Sequence, residues 1–258
     1  MLRKLEEYVK ASQDAGDNHD MSTEATNAEL NEAITDEFGV KYSKDGRKLL
    51  NAPQELDGTY SIKEGTKIIC DRAFHGCDFL KKLVIPDSVT SIGDIAFWFC
   101  SSLSNLVIPD SVTSIRNSSF WGCSSLSSLV IPDSVTNIGD MAFYGCFSLR
   151  SLVISNSVTC IGDDAFWFCS SLRNLVIPDS VTSIGDRAFS GCCSLESLVI
   201  PDSVTSIGDY AFSDSFSLES LVIPDSVTSI GNEAFRGCNF PNDLKQELIS
   251  RFGEKIFG

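Results

Sequence analysis

The sequence predicts an α/β, β-rich solenoid in which short parallel strands and short helical turns repeat every 23 residues between helical end caps. Three apolar columns carry this prediction, because phenylalanine, leucine and isoleucine each recur at that interval without an insertion. A fixed repeat indicates one coil per copy, and only stacked copies bury a continuous core. The phenylalanine column contains Phe74, Phe97, Phe120, Phe143, Phe166, Phe189, Phe212 and Phe235.

One copy of the repeat reads LVIPDSVTSIGDIAFWFCSSLSN, beginning at Leu83. The alternation of apolar and polar residues around Leu83 is typical of a strand, which Pro86 ends because proline has no N–H to donate. Val89–Ile92 is predicted to form a second short extended segment. Gly93 would permit a sharp bend, and Asp94 would cap a helical turn that follows it, Ile95–Cys100.

The repeats divide the chain into three parts. Residues 1–37 hold ten acidic and three basic side chains and are predicted to form an acidic, helical N-terminal segment or cap. The solenoid is predicted over 38–240, with a degenerate first copy at about 56–78, and a capping helix over 241–258. The helical predictions rest on apolar spacing. They involve Leu2, Leu5, Tyr8 and Val9, then Leu30, Ile34 and Phe38, and finally Leu244, Leu248 and Phe252.

Composition narrows the class of function. The chain has 35 acidic against 20 basic residues, a net charge of −15, which argues against nucleic acid as a partner because phosphate binding needs a basic surface. No apolar run is long enough for membrane insertion. With two histidines and no nucleotide-binding, zinc-protease or nucleophile-elbow motif, the sequence predicts no enzyme, no catalytic residue and no cofactor.

Cysteine and aspartate also form columns. Seven of the ten cysteines share one column, for which stacked reduced thiols in the core are expected, with disulfides as the alternative. A linear stack cannot supply convergent ligands, so no metal is expected. The aspartates after the proline and after the glycine are interpreted as turn and cap residues, because asparagine replaces them at some copies. Their stacking would also produce an acidic ridge that favours basic partners.

The residue after the column phenylalanine is the first candidate for partner binding. It is aromatic in the early copies and polar later, which a purely structural position does not require. Either these rings form a contact surface for a protein or carbohydrate, or they pack on the turns of neighbouring coils. The candidate residues are His75, Trp98, Trp121, Tyr144 and Trp167, together with Phe99 and Phe168.

A second candidate surface is the outward face of the predicted sheet. Valine recurs there beside serine and asparagine, giving a flat face in which the valines are either a binding surface or a consequence of strand propensity. The central members are Val107, Val130, Val153 and Val176.

The string L-x-x-L-x-I-P-x-S-V-T-x-I-G-x-x-A-F-x-x-C, found from Leu80 to Cys100 and in later copies, resembles the BspA-like, or Treponema-type, leucine-rich repeats over about residues 56–240. The resemblance implies a leucine-rich-repeat solenoid and a surface or secreted protein that binds host proteins, cells or microbes. Met1–Lys10 has no apolar signal region, which leaves localisation open.

We therefore expect a non-enzymatic binding or adhesion module that recognises a protein or glycan through the solenoid surface. The alternative is an intracellular scaffold or effector that binds a cytosolic partner. Because near-identical coils leave two open ends, end-to-end self-association is also expected to be possible.

Overall fold

The computed structural model describes residues 22–258, which form one stack of coils. Two helices and seventeen short strands make up its regular structure. The helices are α1 (Asn27–Asn31) and α2 (Asn242–Phe252), followed by a 3₁₀ turn at Glu254–Ile256. The strands on the first side of the coils are β4 (Gly58–Ser61), β6 (Leu80–Val84), β8 (Asn105–Leu106), β9 (Ser128–Val130), β11 (Ser151–Val153), β14 (Ser197–Val199) and β16 (Ser220–Val222).

The second side of the coils carries eight more strands. They are β3 (Lys48–Asn51), β5 (Ile68–Ile69), β7 (Ser91–Ile92), β10 (Asn137–Ile138), β12 (Cys160–Ile161), β13 (Ser183–Ile184), β15 (Ser206–Ile207) and β17 (Ser229–Ile230). Coil-to-coil pairing is parallel on both sides, in the register of the 23-residue repeat. Leu129 pairs with Leu152, for example, and Ile138 with Ile161. The predicted solenoid with parallel strands is confirmed.

The third side of each coil departs from the prediction. The segment Ile95–Cys100 forms consecutive turns and not a helical turn. Ile95 and Phe99 have φ values of 60° and 54°, in the left-handed region, and such residues interrupt a right-handed helix. The backbone amides of Ile95, Phe97 and Phe99 instead donate to carbonyls of the next coil at 2.7–3.1 Å, so this side is also joined by a hydrogen-bond ladder.

The phenylalanine column forms the centre of the core. All eight side chains are fully buried, and neighbouring rings stack with centroids 5.1–5.7 Å apart and interplanar angles of 2–16°. In the degenerate first copy, Tyr60 pairs with Leu83 and Ile69 with Ile92. Equivalent side chains therefore lie one above another along the solenoid.

Two side-chain ladders join the coils. The aspartate or asparagine at the position that follows the column glycine in most copies accepts the backbone N–H of its equivalent in the next coil at 2.6–3.2 Å. Asp71, which follows Cys70, accepts from Asp94 in the same way. The side-chain oxygen predicted to cap a turn of its own coil is present, but it accepts a backbone N–H of the next coil instead. In the cysteine column, each thiol from Cys100 onward lies 3.1–3.7 Å from a phenylalanine carbonyl, where Ser215 replaces cysteine without losing the contact.

The glycine before the aspartate is required by close approach and not by a positive φ. A Cβ at Gly93 would lie 2.3 Å from Asp71 Oδ1 and 2.5 Å from Asp71 N. Arg116 replaces this glycine in one coil, where the second side has only an isolated bridge at Ile115 in place of a strand. The Arg116 guanidinium binds both carboxylate oxygens of Asp94, at 3.1 and 3.2 Å.

The N-terminal cap is built differently from the helix predicted to carry Leu30, Ile34 and Phe38 on one face. Helix α1 ends at Asn31, and Ile34 lies in strand β1 (Ile34–Thr35), which pairs antiparallel with β2 (Lys41–Tyr42). Strand β2 pairs with β3, which begins the parallel second side. The N-terminal end is thus closed by antiparallel strands. The helix prediction was wrong after Asn31 because a short run of spaced apolar residues fits a helix and a strand equally well. The helix predicted around Leu2–Val9 lies outside the described residues.

Helix α2 and the 3₁₀ turn close the C-terminal end. Leu248 and Ile256 are buried at 1% and 0% exposure, and Leu244 and Phe252 pack against the core. The Arg251 guanidinium donates to the carbonyls of Ile223 and Pro224, both at 3.0 Å, which supplies partners for the last coil. The predicted C-terminal helical cap is confirmed.

Candidate interaction surfaces

The first side of the coils exposes an unbroken valine row. Strand residues alternate between buried leucine and exposed valine, because successive side chains of a strand point to opposite faces. The seven valines are 43–73% exposed, and Val176 is the most exposed. A row of neighbouring exposed apolar side chains indicates an interaction site more often than single scattered ones do. The valine row consists of Val84, Val107, Val130, Val153, Val176, Val199 and Val222.

Polar and charged columns border the valine row. An exposed serine or asparagine stands two residues before each valine after Lys82. The residue before that is charged at both ends of the solenoid, with Lys81 at the N-terminal end and Glu219 at the C-terminal end. On the other border, the aspartates after the proline are exposed. The row is therefore an apolar strip between a charged edge and an acidic edge.

The aromatic row is mainly packed. Its rings follow one another with centroid separations of 4.6 Å (His75–Trp98), 6.2 Å (Trp98–Trp121), 4.5 Å (Trp121–Tyr144) and 5.1 Å (Tyr144–Trp167). Trp121 is 8% exposed, so the expectation that its ring lies on a contact surface is wrong. The other four side chains are half-buried. Equivalent aromatic side chains are enclosed by their neighbours in adjacent coils, as the packing alternative describes.

The aromatic row ends at Trp167, because serine takes the same position in the next two coils. Arg187 lies over the Trp167 ring at 5.5 Å and pairs with the buried carboxylate of Asp164 at 2.6 Å. In the next coils Ser190 and Ser213 take the aromatic position, and their buried hydroxyls are 2.9 Å apart. The serines satisfy each other's hydrogen-bonding capacity, which explains why polar residues are tolerated at a buried position.

Phenylalanines outside the column form the exposed aromatic surface. Phe99 and Phe168, which the sequence singled out, are 46% and 39% exposed. Phe147 and Phe216, which it did not, are 50% and 57% exposed. The rings of Phe99 and Phe168 lie over a glycine of the next coil, where a Cβ would approach within 3.1 and 2.6 Å. Phe147 and Phe216 could have been identified from the sequence only because they interrupt a largely polar column.

The thiols of the cysteine column are buried and unreactive. All ten cysteines are free, and only Cys160 and Cys193 are partly exposed. Burial raises the pKa of Cys146 and of Cys238 to about 12, so neither thiol ionises near neutral pH.

Among residues 22–258, no group of three or more histidine, cysteine or carboxylate side chains is arranged to hold a metal ion. In the same range, no helix has the length and apolarity that crossing a bilayer requires.

Fold and surface together define a class: a leucine-rich solenoid whose identical coils present linear rows of side chains. The family profile for the BspA type leucine rich repeat region matches residues 58–173 and 160–258. The chain therefore belongs to the BspA-type leucine-rich repeat family. A comparison with curated proteins matches none of them.

Solved bacterial structures share this architecture. A leucine rich cell surface protein from Faecalibacterium prausnitzii is 29% identical, with a TM-score of 0.55, covering 80% of this chain and 65% of that one. The T. pallidum leucine rich repeat protein is 25% identical, with a TM-score of 0.56, covering 88% and 95%. A leucine-rich repeat protein from Eubacterium ventriosum, at 23% identity and TM-score 0.63, shares the fold over 84% of this chain and 53% of its own. This chain thus spans about half to two thirds of two of the three.

Proposed function

We propose that the chain is a non-enzymatic binding module that recognises a protein partner through the valine row. The observation that carries the proposal is the row itself: seven exposed valines in register on a face whose alternate residues are buried. Aliphatic side chains in a flat strip suit the apolar centre of a protein interface, and the polar columns beside them suit its rim. A chain of near-identical coils offers few places where the unlike groups of a catalytic site converge.

The test exchanges shape-matched residues between the two sides of the same coils. Val107→Thr, Val130→Thr and Val153→Thr remove apolar surface from the valine row while keeping β-branched side chains. The matched control, Thr113→Val, Thr136→Val and Thr159→Val, makes the reverse exchange at three exposed threonines on the second side of the same coils. Immobilised variants are exposed to extracellular-matrix proteins and to a cell lysate, with circular dichroism as the check on folding.

We expect the first variant to lose proteins that the wild type retains, and the control to keep them. Equal retention by all three proteins would contradict the proposal. Partners captured only from the matrix proteins would support a surface or secreted adhesion module, in keeping with the Faecalibacterium relative, which is described as a cell surface protein. Partners captured only from the lysate would support the intracellular scaffold.

The exposed phenylalanines support a second candidate, the binding of a glycan by stacking of sugar rings on Phe99 and Phe168. Both rings are partly exposed and lie over glycines of the next coil, and the indole rings of Trp98 and Trp167 extend the aromatic surface beside them at centroid distances of 4.8 and 5.1 Å. Phe99→Ser with Phe168→Ser should abolish retention on a glycan array. The control is Phe79→Ser, which removes a more exposed phenyl ring away from Phe99 and Phe168. Retention unchanged in the double variant would exclude this surface.

A further inference from the structure

Four charged residues beside the valine row have no ion-pair partner within the described chain. They occupy the same column in four successive coils, and their order along the solenoid is two arginines followed by two glutamates. They are Arg150, Arg173, Glu196 and Glu219, and all four are exposed.

The absence of partners is notable because the other arginines after residue 100 are paired. Arg116, Arg187, Arg236 and Arg251 each have a carboxylate oxygen within 3.7 Å. Arg173 stands one coil from Glu196, yet residues 22–258 contain no bridge between them. Four unpaired charges on the border of an exposed apolar strip leave their electrostatic complement to another molecule.

The order of the charges is self-complementary under a two-fold rotation. When a second copy is turned so that its strands keep their direction and its coils run the opposite way, equivalent columns face each other. With the rotation axis between the coils of Arg173 and Glu196, Arg173 faces the partner subunit's Glu196. Arg150 then faces the partner subunit's Glu219. The symmetry repeats both contacts, giving four ion pairs from one four-residue pattern.

The same rotation covers the apolar strip. Val153 and Val176 face the partner subunit's Val222 and Val199, and the reverse. Four coils at about 4.8 Å each make a strip about 19 Å long, and facing sheets pack about 10 Å apart. We propose that the occupant of this half of the valine row is a second copy of the chain, in an antiparallel dimer. The inference rests on the proposed function, because it assigns a partner to part of the same surface.

Two features oppose the association and set its strength. The net charge of −15 repels a second copy, and Asp179 would face the partner subunit's Asp202 at the other edge of the strip. The strip is also narrower than a standard protein interface. We therefore expect a weak dimer with a dissociation constant on the order of 10–100 μM.

Charge reversal tests both the dimer and its register. Arg150→Glu with Arg173→Glu makes the column uniformly acidic, and Glu196→Arg with Glu219→Arg makes it uniformly basic. Each variant alone should associate at least about tenfold more weakly than wild type in sedimentation velocity, while an equimolar mixture of the two should recover the association. The matched control, Lys81→Glu with Lys82→Glu, reverses charges outside the paired coils and should leave the dimer intact.

A monomeric wild type at 500 μM would overturn the inference, and so would a mixture that associates no better than either variant alone. The result is separable from the proposed function when partner capture is measured with Val107→Thr and Val130→Thr alone, because these two residues lie outside the paired coils whereas Val153 lies inside them. Loss of the dimer with partner capture retained would refute only this inference. A dimer that forms without any captured partner would refute only the broader proposal.

Discussion

Gly162 shows how the stacking of coils constrains a single residue. A Cβ at this position would lie 2.5 Å from Asp140 Oδ1 and 2.8 Å from Asp140 N, so a side chain here would crowd the preceding coil. Where Arg116 takes the equivalent position, the second side has an isolated bridge in place of a strand. The repeat of glycine could be read from the sequence, but it suggested a bend. The actual reason, close approach of a neighbouring coil, depends on the three-dimensional stacking and has no local signature.

Gly162→Ala is therefore expected to destabilise the protein. The crowding costs about 1–3 kcal/mol, against about 0.4–1 kcal/mol gained by restricting the unfolded chain, so the net loss reaches about 2.6 kcal/mol and centres on about 1 kcal/mol. Urea unfolding followed by circular dichroism measures it. The control is Ser151→Ala, at an exposed position in strand β11 on the first side, which should change the free energy of unfolding by less than about 0.5 kcal/mol. Equal effects of the two substitutions would contradict the crowding.

Thiol reactivity reports the burial of the cysteine column. We expect a thiol reagent at pH 8 to modify only Cys160 and Cys193 in the native protein, because these are the two partly exposed cysteines. The other eight should react only after denaturation, since burial both shields them and keeps them protonated. Rapid modification of more than two thiols under native conditions would show that the column is not packed as described.

At the scale of elements, the aspartate ladder places like charges in successive coils. Burial, followed by the nearby charge of Asp94, raises the pKa of Asp71, although a hydrogen bond from Thr23 opposes the shift. A carboxyl whose folded-state pKa is raised binds more protons in the folded state. Its contribution therefore favours folding as pH falls from neutral through that pKa, which is the reverse of ordinary acid denaturation.

Asp71→Asn should remove this dependence while keeping the oxygen that accepts from Asp94, as Asn117 does for Asp140. We expect the variant to be more stable than wild type at pH 7, with the difference shrinking as the pH approaches 4. The control is Asp87→Asn at an exposed turn. Chemical denaturation at a series of pH values measures the difference, and a constant difference at all pH values would contradict the assignment.

The C-terminal cap depends on helix α2. Leu248 is its buried residue, and Leu248→Ala is expected to cost about 2 kcal/mol or more through lost burial and the cavity left behind. Amide exchange should accelerate in the last coil, including Ser229–Ile230, before it does so elsewhere. Ser250→Ala, on the exposed face of the same helix, should leave exchange unchanged. Protection lost equally in every coil would mean that the end is not closed by this helix.

Elements were predictable where the repeat defined them. Leucine and valine alternate in each copy, so the strands of the first side and their faces follow from periodicity alone. The turn at Ile95–Cys100 was predicted as helical because no pattern reveals left-handed φ values at Ile95 and Phe99. The N-terminal cap lies outside the repeat, and a spacing of four residues at Ile34 and Phe38 did not distinguish a helix from strand β1.

Across the whole molecule, the repeating columns predicted the buried residues more reliably than the exposed ones. Identical residues in every coil identify the core, because stacking repeats one environment. A surface row has no such requirement, and the aromatic row shows the consequence: Trp121 is enclosed by Trp98 and Tyr144, although each ring by itself suggested exposure. The valine row was placed correctly because strand alternation alone determines its face.

Small-angle scattering of a variant that lacks residues 128–150 tests the stacking most directly. Removing one whole repeat joins Ser127 to Ser151 and brings like columns back into register, so the variant should fold, unfold cooperatively and be shorter by about 4.8 Å at an unchanged cross-section. Deleting residues 128–139 instead, about half a coil, should prevent folding. A whole-repeat deletion that unfolds, or that keeps its length while losing width, would contradict the stack of equivalent coils.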